Sequence, residues 1–111
     1  MSGYESLKKY ADFQRVYGCG KSYADKYLVM YVYENRTDIN RVGISVSKKV
    51  GNSIVRHRLT RIIRESVRLN SEALKRGYDI AIIARAALKD KKYAEAASAF
   101  MHLCRLHGIL R

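Results

Sequence analysis

Proline and tryptophan are both absent from these 111 residues, and cysteine appears only twice, at Cys19 and Cys104. No repeat, low-complexity tract or evident linker divides the chain, which points to a single domain over residues 1–111. Two cysteines so far apart make neither a disulfide framework nor a metal-ligand spacing. Each is expected to be a small buried or half-buried residue in a reducing cytoplasm. No apolar run approaches the roughly 20 residues of a membrane span, and MSGYESLKKYADF lacks the apolar core of a signal peptide. The expectation is a cytoplasmic protein with no membrane partner. Acids are scarce as well, 10 Asp and Glu against 22 Lys and Arg. Asp12, Asp25, Asp79 and Asp90 stand isolated, and Asp79 reads as a structural hydrogen-bonder at the start of a strand. His57, His102 and His107 have no matching carboxylate or cysteine cluster, and His102 and His107, five apart, share a helical face poorly. Catalytic residues and protein metal ligands are therefore both expected to be none.

What is present is an uneven basic charge. The formal net charge is +12, and residues 41–68 hold eight Lys or Arg against one acid, Glu65, or +7 of that total. Residues 1–40 carry six bases and five acids, and residues 69–111 carry eight and four. Charge concentrated in this way is what a polyphosphate partner requires. Apolar content of 48% and charged content of 29% suit a globular chain.

Periodicity supplies the elements. Asp12 is placed to cap a helix of about two turns ended by Gly18 and Gly20, with Phe13, Val16 and Tyr17 on one face. YLVMYVY, Tyr27 to Tyr33, alternates as a strand, with room for a further short strand near Lys21 to Tyr23 before it. Arg41 to Ser47 alternates too, with Val42, Ile44 and Val46 toward the core. A Gly51-Asn52-Ser53 turn enters a helix over Ser53 to Asn70. Val55, Leu59, Ile62, Ser66 and Leu69 form one stripe of it, and His57, Arg61, Arg64 and Arg68 the opposite one, with Arg58 at the edge. YDIAIIA, Tyr78 to Ala84, is apolar enough for an interior strand covered on both faces. Tyr93 to Leu106 reads as a last helix with Ala96, Ala97, Phe100, Leu103 and Cys104 inward. The order α-β-β-α-β-α predicts an α+β protein, an α/β sandwich: a small mixed sheet with helices on one face and the other face partly open.

Arginine offers a planar fork that matches phosphate and stacks on bases. The arginine stripe holds no acid, and Glu65 is expected to pair with Arg58, Arg61 or Arg68. Lys48, Lys49, Gly51 and Asn52 stand at the helix N-terminus, where backbone N–H groups and the dipole favour an anion. Nine tyrosines and two phenylalanines include Tyr27, Tyr31 and Tyr33 on one strand face near Phe13 and Tyr17, suited to stacking unpaired bases. Ordinary packing of the first helix on the sheet is the competing account of Phe13. A structural module of another RNA assembly, ribosomal proteins included, fits the basic helix but needs no aromatic cleft. A DNA-binding domain fits less well, because no helix-turn-helix pattern is evident.

The segment RVGISVSKKVGNSIVRHRLTRIIRE, residues 41–65, with LKKYADFQRVYGCGKSY at 7–23 and YDIAIIAR at 78–85, resembles the protein subunit of bacterial ribonuclease P. The departures are His57, where that family usually has Asn, and Thr60, where it usually has Lys. The resemblance implies a protein subunit of a ribonucleoprotein endoribonuclease that removes the 5′ leader of precursor tRNA. Arg56, His57, Arg58, Arg61, Arg64 and Arg68 would dock on the ribonuclease P RNA. Phe13, Tyr17, Tyr31, Lys48 and Lys49 would bind the single-stranded leader. The RNA would hold the catalytic Mg²⁺, no further protein partner would be required, and the βαβ crossover would be left-handed against the usual rule.

Overall fold

The computed structural model describes residues 4–111. Residues 1–3, the first of the expected domain span, lie outside the described residues. Five strands, β1 (Tyr4–Ser6), β2 (Lys21–Ala24), β3 (Leu28–Glu34), β4 (Asn40–Ser45) and β5 (Tyr78–Ala84), form one mixed sheet in the order β1-β4-β5-β3-β2. Three helices accompany it: α1 (Tyr10–Cys19), α2 (Ser53–Asn70) and α3 (Tyr93–His107). The fold is α+β, as expected. β5 pairs antiparallel with β3 and parallel with β4. It is the middle strand, which is why its sequence is apolar on both faces. α2 is the crossover between the neighbouring parallel strands β4 and β5, the unit that the resemblance makes left-handed.

The main core lies between the sheet and the α2–α3 layer. Leu28 and Met30 of β3, Ile80 and Ile82 of β5, Leu59 and Ile63 of α2, and Phe100 and Leu103 of α3 are all fully buried there. α1 lies on the opposite face, with Leu7, Val16 and Ala81 buried and Phe13, Tyr17, Tyr31 and Tyr33 half-buried around them. So two helices share one face, and α1 crosses part of the other.

Several local expectations need correction. Asp12 does not cap α1. Lys9 is the N-cap, and Asp12 sits buried in the first turn, drawn in by long-range cations described below. Gly18 lies inside α1, and the stop comes at Gly20, where an added Cβ would meet the Val16 and Val32 carbonyl oxygens at 2.6 and 2.7 Å. The short strand near Lys21 is real, and β1 was not anticipated. On α2 the buried stripe is Leu59, Ile63, Ser66 and Val67, while Leu69 is 55% exposed. The stripe is turned to meet α3, so Ile63 and Val67 take the place given to Ile62 and Leu69. On α3, Ala99 rather than Ala97 is buried. Cys104 is buried and Cys19 is exposed. Burial raises the Cys104 thiol to about 12, which leaves it an inert apolar filler.

Candidate nucleic-acid interface

The basic helix starts at a well-made cap. The Asn52 side chain accepts the Val55 N–H at 3.0 Å, an arrangement that contributes about 1 kcal/mol. Before it, Lys48 and Lys49 are exposed in a tight turn closed by the Val50 N–H donating to the Ser47 carbonyl at 3.1 Å. Val50 is buried beneath, so the lysines are held outward by an apolar anchor.

Along α2, His57, Arg58, Arg61, Arg64 and Arg68 are exposed and Arg56 is half-buried. They do not behave alike. Arg58 donates to the carbonyls of Lys89 and Lys91, at 2.9 Å for the latter, and so ties α2 to the segment leading into α3. Arg68 forks onto Glu65, the partner expected for one of three arginines, and the pairing holds the Glu65 carboxyl below the usual range. Among the described residues, neither Arg61 nor Arg64 has an ion-pair partner, which leaves two guanidinium forks unspent. The Arg56 Nε is buried with no hydrogen-bond partner. It borders a shallow hollow of about 300 Å³ with Val46, Ser53, His57, Thr60 and Arg64. Thr60, where the resemblance expects Lys, turns its hydroxyl back to the Arg56 carbonyl at 2.8 Å.

The second surface is the α1 face of the sheet. The Phe13 and Tyr17 rings lie 6.1 Å apart, and Tyr17 meets Tyr31 edge-on at 5.0 Å, within the range of favourable aromatic pairs. Burial, and then the neighbouring Tyr31, raise the Tyr17 phenol above its ordinary value, so it is a neutral donor at any physiological pH. Phe13 rests directly on the strand. A Cβ on Gly43 would meet its ring carbons at 2.3 and 2.5 Å. All three rings of the expected leader set are therefore brought together, each with part of its surface exposed.

What holds α1 in place is an ion network that sequence reasoning did not find. Asp79 is fully buried and receives Arg41 through Nε at 2.8 Å and Nη2 at 2.7 Å. The same guanidinium reaches Asp12 of α1 at 3.1 Å, and Asp12 also pairs with Arg15. Asn35 donates a further bond to Asp79 at 2.8 Å. The Asp79 bond, with its charge, raises the Arg41 pKa against the opposing cost of burial. Alternation had put Arg41 and Tyr33 on this face. Only the register, Arg41 opposite Asp79, could identify the pair.

The remaining histidines are used structurally. His102 lies 3.3 Å from Asp25. His107 donates through Nε2 to the Met30 carbonyl at 2.9 Å and stacks edge-on against Tyr23. Among the described residues, no group of three or more His, Cys, Asp or Glu is placed to hold a metal ion. Among the described residues, no helix is long and apolar enough to cross a membrane.

Fold and site together define a small basic α+β module whose exposed cations and half-exposed rings suit a single polyphosphate chain with bases. The comparisons with known proteins make that class specific. The model of the Ribonuclease P family matches residues 1–107. The chain is 60% identical over 106 residues to the ribonuclease P protein component of Lachnoclostridium phytofermentans, covering 96% of this chain and 91% of that one. It is 50% identical over 104 residues to that of Clostridium botulinum, covering 93% and 94%. The Staphylococcus aureus RNase P protein superposes with a TM-score of 0.87 at 36% identity, over 96% of this chain and 97% of that one. The protein from Thermotoga maritima gives 0.84 at 29%, over 92% and 96%.

The chain belongs to the ribonuclease P protein family. Its function is that of a protein subunit of that RNA-processing endoribonuclease, and its partner is an RNA.

Proposed function

We propose that the protein binds the catalytic RNA through α2 and the 5′ leader of precursor tRNA through the α1 face. It would thereby assist Mg²⁺-dependent removal of the leader to give the mature tRNA 5′ end. The observation that carries this reading is the coexistence of two different surfaces on one small protein. One is a row of arginines, of which Arg61 and Arg64 keep unspent forks, suited to a phosphate backbone. The other is a set of half-exposed rings on a glycine-floored strand, suited to unstacked bases. A purely structural RNA-binding protein needs only the first.

The chemistry then belongs to the RNA, which holds the Mg²⁺ ions and the attacking water. The protein supplies position and charge. Phe13, Tyr17 and Tyr31 take leader bases. Lys48 and Lys49 neutralise phosphates beside them. Arg56, His57, Arg58, Arg61, Arg64 and Arg68 offset repulsion between two RNA chains, and so lower the Mg²⁺ needed. The setting is the cytoplasm, and no other protein is required.

Cleavage of a precursor tRNA at low Mg²⁺, by a bacterial ribonuclease P RNA with and without this protein, tests the reading. Strong stimulation with no cleavage by protein alone is the expected result. Tight RNA binding without stimulation would sink it in favour of a structural role.

A further inference from the structure

The edge of the sheet beside α1 is unfinished. β1 pairs with β4 only at Asn40, Arg41 and Val42, and the Leu7 N–H closes the last rung on the Val42 carbonyl at 2.9 Å. Beyond that rung β4 has no strand neighbour on its outer side among the described residues, although it continues to Ser45. Backbone groups alternate sides along a strand, so the N–H and C=O of Ile44 face the same open side as those of Val42. At this vacancy the fold leaves a hollow of about 200 Å³, bordered by Ser6, Leu7, Phe13, Gly43, Ile44 and Arg64. Phe13 comes from the aromatic face and Arg64 from the arginine helix. Arg64 also borders the hollow that contains Arg56 and His57.

We infer that the open β4 edge is a nucleotide subsite that joins the two RNA surfaces into one track, and that Arg64 binds a leader phosphate there rather than serving only the RNA subunit. This rests on the reading of the α1 face as a leader cleft. Three kinds of group converge on the hollow. Arg64 offers an unpaired fork for a phosphate. The rim of Phe13 offers an apolar contact for a base. Ile44 offers one backbone donor and one acceptor, which match a ribose hydroxyl or a base edge. A single nucleotide uses all three, whereas an added peptide strand would use the backbone pair and leave the arginine idle. Strand edges are commonly covered or blunted. Here the edge is left open between an arginine and an aromatic ring.

The test is a set of holoenzymes assembled from a ribonuclease P RNA and wild-type, Arg64→Gln, Arg61→Gln or Phe13→Ala protein. Affinity is measured for precursor tRNA and for the same tRNA lacking its leader. Arg64→Gln is expected to weaken the precursor about fivefold more than it weakens the leaderless tRNA. Arg61→Gln should shift both alike through assembly. The Arg64→Gln/Phe13→Ala double variant should lose less than the product of the single losses. A leader with one methylphosphonate at the contacted position should abolish the difference between wild type and Arg64→Gln. Arg64→Gln behaving like Arg61→Gln, or purely multiplicative losses, would overturn the subsite while leaving the leader cleft intact. Phe13→Ala without leader dependence would overturn the cleft itself, and the subsite with it. Arg64→Lys, which keeps charge but loses the fork, should restore only part of the loss.

Discussion

On the α2–α3 face, Leu28, Met30, Ile80 and Ile82 are wholly buried, whereas Tyr31 and Tyr33 on the α1 face of the same sheet keep part of each ring in solvent. The two faces are built from alternate residues of the same strands, so backbone geometry cannot account for the difference. Coverage does. Two long helices cross the first face, and one of ten residues crosses the second. Folding free energy is thus concentrated on one face, and the other is left with apolar surface that only a ligand would finish covering.

The sharpest way to break the comparison is Phe100→Ala on the filled face. A cavity there should cost about 3–5 kcal/mol of stability, read by urea unfolding, while the folded fraction keeps its preference for leader-bearing substrate. Arg41→Ala crosses between the faces. It leaves Asp79 a buried carboxylate without its cation, held by Asn35 alone, at a cost of about 3 kcal/mol, and leaves Asp12 of α1 with only Arg15 of its own helix, so stability and leader preference should fall together. Tyr31→Ala belongs to the open face. It should weaken leader-bearing substrate by about 1–3 kcal/mol, with a smaller effect on leaderless tRNA. Arg61→Gln should flatten the salt dependence of RNA binding by about one unit of slope and leave unfolding unchanged.

The smallest effect is a pH dependence. Burial, with Lys21 nearby, holds the His107 imidazole below its ordinary value despite its bond to the Met30 carbonyl. A depressed pKa means that the unfolded chain takes up this proton first as pH falls. The contribution is present above about pH 6.5 and is lost on acidification below it. His107→Gln should flatten the fall in Tm over that window. An unchanged slope would show that another group is responsible.

The sequence was most readable where one periodicity acted alone. α2 runs from Ser53 to Asn70 as its capping turn and apolar spacing require, and Tyr78–Ala84 is the interior strand that its composition demands. Reading failed where a distant partner decided the outcome. Asp12 has the chemistry of a cap, but Arg41, 29 residues away, makes it an anchor instead. Leu69 fits a 100° wheel, but α3 draws the buried stripe toward Ile63 and Val67. Phe13, Tyr17 and Tyr31 could be nominated from composition and spacing. That Gly43 leaves the room for the Phe13 ring, and that Arg64 shares a hollow with Phe13, requires the register of β4 and the placing of α2.

The middle strand of the sheet is the last one to leave the ribosome. Until Tyr78–Ala84 has emerged, β3 has only its hairpin partner β2, and β4 has only the three-residue β1. The arginine helix is synthesised before the strand that completes the platform beneath it. Such non-local closure is slow compared with helix formation. The nascent chain therefore passes through an interval in which its cations are displayed but its aromatic cleft does not yet exist. On the proposed reading of the α1 face, selective recognition of a leader becomes available only after this last strand has left the ribosome.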